Sequence, residues 1–97
     1  MSTINGAAIS FDPVKNEANV QLRQLAFTLV DELDWTSALI VEDERKDYGE
    51  KRFQVLGYIG DRLHAVVFTP RMSKIHVISL RKANVREVKQ YEQISKN

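Results

Sequence analysis

The chain contains no cysteine. That excludes a disulfide-stapled scaffold, a Cys-based zinc site and thiol catalysis, and it fits a reducing cytoplasm. Only His64 and His76 supply imidazole, and neither has a carboxylate at helical ligand spacing, so no metal site and no cofactor is expected. The four glycines, Gly6, Gly49, Gly57 and Gly60, never cluster. A phosphate-binding loop and a dinucleotide fingerprint are therefore both missing. Long apolar runs are missing too: the longest, such as Ala65-Val66-Val67-Phe68, is about four residues against the roughly 20 of a membrane span. The first ten residues have no basic stretch followed by an apolar one, and so do not read as a secretory signal.

What is present is ordinary in bulk and uneven in distribution. With 97 residues, 43% hydrophobic and 28% charged, the chain is expected to form one domain over residues 1–97, with a flexible start over residues 1–8. Residues 1–50 carry 4 Lys/Arg against 10 Asp/Glu, whereas residues 51–97 carry 10 against 3. The net +1 conceals halves of −6 and +7. Such a division points to a polyanion or an acidic partner.

Residues 7–11 have the composition of a short strand. Asp12-Pro13 is a helix start, with a carboxylate at the N-cap and proline at the first position, where its missing N–H costs nothing. Val14, Ala18, Leu22, Leu25, Leu29 and Leu33 then recur at spacings that suit one long helix burying a single stripe. Thr28 with Asp31 instead resembles a capping box, which would open a second helix. Two helices with a tight bend near Gln24 are the preferred expectation.

From Ala38 the period is that of strands: Ala38–Val41, Arg52–Ile59, Arg62–Thr69 and Ile75–Leu80, with Gly60-Asp61 as a hairpin turn. Asn84 with Glu87 caps a last helix. The expected fold is α+β: two N-terminal helices packed on a four-stranded antiparallel sheet with a C-terminal helix.

Basic side chains gather where these strands end. Arg71 follows one strand and Arg81-Lys82 the next; His76 lies within that strand, and Arg52 opens the hairpin. Guanidinium groups bind phosphate bidentately and stay charged, so they stabilise a developing phosphorane. His76 can shuttle protons near neutral pH. Tyr48, in a charged loop, could stack on an unpaired base. Taken singly, each of these residues reads more simply as a solvated strand end or a hydrogen-bonded spectator.

Several strings raise that estimate. Phe11-Asp12-Pro13-x-Lys15, Asn19, Leu33-Asp34-Trp35-x-x-Ala38, Glu42-Asp43 and Asp47-Tyr48-Gly49-Glu50-x-Arg52 occur in order. They continue with Gly60-Asp61-Arg62-Leu63-His64, Val66-Val67-Phe68-Thr69-x-Arg71 and Ile78-Ser79-Leu80-Arg81-Lys82-Ala83-Asn84-x-Arg86-Glu87-Val88-x-x-Tyr91. Together they closely resemble the BrnT family of toxins from bacterial type II toxin–antitoxin systems, over about residues 10–92.

The resemblance implies a RelE-like fold and a cytoplasmic ribonuclease that halts translation by cutting RNA without a metal. It also implies a BrnA-type antitoxin as partner, with DNA contacted only through that antitoxin and no membrane association. Arg71 and Arg81 match the family's catalytic positions, and His76 stands where arginine is common. Lys15, Arg23, Tyr48, Arg52 and Lys82 are the candidates for holding RNA. In place of the family's Lys-His-Gly turn this chain has Leu22-Arg23-Gln24. The lost histidine makes His76 the candidate for proton transfer from another strand. The alternative is a non-enzymatic or degenerate homologue that binds a protein or nucleic-acid partner on the same basic face.

Overall fold

A computed structural model describes residues 8–45 and 47–95. The expected flexible start therefore lies, except for residue 8, outside the described residues, as does the first residue of the expected strand at 7–11. In order, the elements are β1 (Ile9–Phe11), α1 (Pro13–Arg23), a 3₁₀ segment (Phe27–Glu32), β2 (Leu39–Asp43), β3 (Arg52–Ile59), β4 (Arg62–Arg71), β5 (Lys74–Lys82) and α2 (Val85–Ser95).

The sheet corrects the expected fold. It has five strands in the order β1-β5-β4-β3-β2, and it is mixed, because β1 runs parallel to β5 while the other pairs are antiparallel. Three residues of β1 meet Ile75, His76 and Val77. So short a segment shows no alternation that marks a parallel partner lying more than sixty residues away. The N-terminal side holds one α-helix and a 3₁₀ segment, not two α-helices.

The physical reason for the second difference is a change of period. Helix α1 begins as its sequence dictates, with Val14 N–H donating to Asp12 Oδ1 at 2.9 Å. It ends at Gln24, which adopts the left-handed conformation at φ 60°, ψ 32°. Beyond that bend Leu25 is buried, and then Phe27, Val30 and Leu33 follow three residues apart. A 3₁₀ helix has three residues per turn and presents that spacing on one side. The stripe of fours stops at Gln24, and its first members, Val14, Ala18 and Leu22, face solvent. The residue that α1 buries is Asn19.

Asn19 compensates for its burial with three hydrogen bonds. Its Nδ2 donates to Leu25 O at 2.8 Å and to Leu80 O at 3.0 Å, while its Oδ1 accepts from Arg23 at 2.8 Å. One side chain thus ties the helix, the bend and β5 together.

Two apolar clusters sandwich the sheet. Phe27, Val30 and Leu33 pack with Val55, Val66, Phe68, Val77 and Leu80. Leu56, Leu63 and Ala65 pack with Ala83 and Tyr91 of the C-terminal side. Neighbours such as Val55 and Leu56 belong to different clusters because strand side chains alternate. Val77 and Leu80 nevertheless share a cluster. Val67 pairs with Ser79 and Phe68 with Val77, so Ile78 is an extra residue that resets the alternation. Trp35 meets Phe68 edge-on, and the Tyr91 hydroxyl donates to Ser37 O, so both serve packing.

Left-handed backbone costs a non-glycine residue about 1–2 kcal/mol. Gln24→Gly is therefore expected to raise unfolding free energy by about 1 kcal/mol. Asn19→Ala, which leaves two buried carbonyls unpaired, should lower it by about 2 kcal/mol. Urea denaturation measures both; an unchanged midpoint for Asn19→Ala would contradict its assigned role.

Candidate nucleic-acid site

The register of β1 on β5 sets Ser10 beside His76, and the helix that follows carries Asp12 and Lys15 over the same end of the sheet. Antiparallel pairing brings Arg71, at the end of β4, and Arg52, at the start of β3, to that end as well. The outcome is a cleft of about 200 Å³ lined by Asp12, Lys15, Arg52, Arg71, His76, Val77 and Ile78. Four of the residues singled out in the sequence, Lys15, Arg52, Arg71 and His76, thus meet in one place.

Beside the cleft, Glu50 pairs with two of its cations, Arg71 and Arg52. Its carboxylate accepts from Arg71 at 3.2 and 3.4 Å and lies 3.6 Å from Arg52 Nε. Arg52 Nε is buried and makes no hydrogen bond. The Arg52 guanidinium lies 3.9 Å from the centre of the Tyr48 ring, a cation–π contact that fixes its plane. A carboxylate between two guanidinium groups occupies the kind of position that a phosphate takes when it binds such a pair. Sequence inspection did not single out Glu50 as a site residue. No local signal marked it: Glu50 lies in a bend before β3, and its partner Arg71 is 21 residues away in sequence.

His76 is half-buried, and its Nδ1 lies 3.0 Å from Ser10 Oγ. Burial, and then the positive charge of Arg71, push its pKa below the ordinary 6.5. Both favour the neutral imidazole. With Nδ1–H donating to Ser10, Nε2 would carry a lone pair able to take a proton. Ser10 was not foreseen, because its relation to His76 exists only through the parallel pairing.

The other sequence candidates lie elsewhere. Arg23 accompanies Lys15 in a second groove, along α1, where it donates to Asn19. Arg81 and Lys82 lie at the far end of β5 and do not line the cleft. Arg81 forms a bidentate pair with Glu87 at 2.7 and 2.8 Å. Glu87 in turn completes the expected capping box of α2, since Asn84 N–H donates to Glu87 Oε1 and Glu87 N–H to Asn84 Oδ1. Arg81 thus joins the last strand to the first turn of the last helix.

A family model described as a ribonuclease toxin, BrnT, of a type II toxin–antitoxin system matches residues 11–87. No curated protein matches the chain. The matched span begins beside the cleft and ends at the partner of Arg81, so it includes both arrangements.

The Arg81–Glu87 pair has a pH signature. Hydrogen bonds from Arg81 hold the Glu87 carboxyl below its ordinary 4.5. A depressed carboxyl contributes stability above its unfolded pKa and loses it as pH falls through the folded value. The stability difference between the wild-type chain and Glu87→Gln should hold at neutral pH and close as pH falls below 4.5. Chemical denaturation across that range checks it; a difference that persists in acid would contradict the assignment.

Proposed function

The chain belongs to the BrnT family of ribonuclease toxins from type II toxin–antitoxin systems, and we propose that it is a metal-independent endoribonuclease that stops translation in the cytoplasm. Its protein partner is an antitoxin, which we take to be of the BrnA type. No helix among the described residues is long and apolar enough to cross a membrane. The observation that carries this reading is the meeting of Arg71, Arg52, Lys15 and His76 in one cleft.

The chemistry assigned to these residues is transfer of a phosphodiester to its own ribose. The 2′-hydroxyl oxygen attacks the adjacent phosphorus, the bond to the 5′-oxygen breaks, and a 2′,3′-cyclic phosphate forms. Neutral His76 takes the 2′-hydroxyl proton through Nε2, and the departing 5′-oxygen takes a proton from solvent. Arg71 and Arg52 bind the nonbridging oxygens, whose charge grows in the transition state, and Lys15 adds a third cation. For this to happen a phosphate must displace Glu50 from Arg71. Tyr48, already stacked on Arg52, keeps that guanidinium in the plane that bidentate binding needs. Arg23 and Lys82 serve as outer contacts to the RNA backbone.

Arg81 keeps a different part in this scheme. Its bidentate pair with Glu87 supports an anchoring role for α2 rather than contact with the scissile phosphate. The Leu22-Arg23-Gln24 sequence does not remove proton transfer from the protein if His76 supplies it from β5.

Cleavage of purified RNA in EDTA tests the scheme. Arg71→Ala and Arg52→Ala should each reduce the rate by about a hundredfold or more, and His76→Ala by about a hundredfold. With wild-type protein the rate should hold at neutral pH and fall on acidification below the ordinary histidine range near 6.5, as His76 becomes protonated. Binding of RNA without product by the wild-type chain would favour the non-enzymatic alternative.

A further inference from the structure

The part of α1 that the core leaves unused is its apolar stripe. Val14, Ala18 and Leu22 recur every four residues and so lie along one side of the helix. Val14 and Leu22 are 76% and 75% exposed. A surface helix ordinarily turns such a stripe toward the core; α1 buries Asn19 instead. Beside the stripe, a groove of about 190 Å³ runs between α1 and β5, with Ala18, Leu22, Phe27 and Ile78 in its lining and Lys15 and Arg23 among them. Lys15 and Ile78 also line the cleft of Arg71 and His76, so groove and cleft are continuous.

We propose that the antitoxin docks on this face of α1 as an amphipathic helix. Its apolar side covers Val14, Ala18 and Leu22, and its carboxylates reach Lys15 and the arginines of the cleft. The proposal rests on the functional reading above for the identity of the partner. Three observations select this occupant.

The first is chemical. An aliphatic stripe gains from losing water to another apolar surface, and an RNA backbone, charged at every residue, offers none. The second is charge. The groove and cleft bring together Lys15, Arg23, Arg52 and Arg71 with Asp12 in the lining, and Glu50 beside them is shared between Arg52 and Arg71, so positive charge remains in excess. A partner that is apolar on one side and acidic at its edge complements both parts. The third is backbone geometry. β1 pairs only with Ile75–Val77, and beyond it Asn19 Nδ2 occupies Leu80 O. Strand addition to that edge of β5 is thereby obstructed, which leaves a helix laid in the groove as the mode of recognition. An occupant seated there enters the cleft from the Lys15 side, so docking and inhibition become one event.

The test uses the purified antitoxin encoded beside this chain, titrated onto the full-length toxin by calorimetry, with RNA cleavage followed in parallel. Val14→Glu combined with Leu22→Glu should weaken antitoxin binding by at least ~30-fold, the effect of losing a central interface contact. RNA cleavage by that variant should persist and resist the antitoxin. Ile40→Glu combined with Val41→Glu alters another exposed apolar pair, on edge strand β2, and should leave affinity unchanged. Thermal melting establishes that each variant is folded, and the milder Val14→Ser with Leu22→Gln serves if the first is not. Native affinity in the α1 variant, or loss of affinity in the β2 variant alone, would overturn the proposal. So would loss of RNA cleavage with antitoxin binding intact, which would assign the groove to RNA. A chain that binds the antitoxin through α1 yet cleaves no RNA would uphold this inference and overturn the catalytic one.

Discussion

Parallel pairing of Ile9–Phe11 with Ile75–Val77 carries the N-terminal helix onto the sheet, and the placement of the cleft depends on where that pairing stops. While it lasts, it aligns Ser10 with His76 and delivers Asp12 and Lys15 to the mouth of the cleft. Where it ends, Ile78 bulges from β5, and the strand edge beyond is taken over by Asn19. The cleft lies on one side of that change and the α1 groove on the other. Both are consequences of a strand only three residues long. Such a strand is stable here because Ile9 and Phe11 pack against the main core while Ser10 turns outward.

The arginines illustrate how context divides one residue type into different tasks. Arg81 and Glu87 make a bidentate pair in which the carboxylate is largely buried and the guanidinium partly so, and the carboxylate also caps α2. Its satisfied hydrogen bonds make it a tie between elements. Arg71 and Arg52 share a single carboxylate at longer distances, and Arg52 leaves a buried N–H without a hydrogen bond. A buried donor without a partner carries a free-energy cost that a closer anion relieves. The cleft therefore presents incompletely satisfied positive charge, and the far end of β5 does not.

Much of this was legible before the fold was known. The cap at Asp12, the capping box at Asn84 and Glu87, the Gly60-Asp61 turn and the strands β3 to β5 follow from local chemistry that leaves marks in sequence. The gathering of basic side chains at strand ends was also expected, but the structure joins Arg71, His76 and Arg52 with Lys15 and leaves Arg81 and Lys82 at the far end of β5. Three features were hidden for specific reasons. The parallel partner of β1 is fixed by tertiary packing, and three residues carry no periodicity. The 3₁₀ segment competes with a leucine stripe at α-helical spacing, and left-handed Gln24 decides between them without the glycine that usually announces it. Glu50 sits in an acidic loop, where its carboxylate looks like one of many until β4 brings Arg71 to it.

The division of charge along the chain now has a spatial meaning. The basic half supplies Arg52, Arg71 and His76; the acidic half contributes Lys15 and Asp12 to the lining and Glu50, which pairs with both arginines. A crystal structure with an RNA whose cleavage-site ribose lacks its 2′-hydroxyl would test this account most directly. The predicted result is a phosphate on Arg71 and Arg52, with Glu50 displaced and His76 Nε2 facing the position of the missing oxygen. A phosphate seated on Arg81 and Lys82, with the Glu50–Arg71 pair intact, would contradict it.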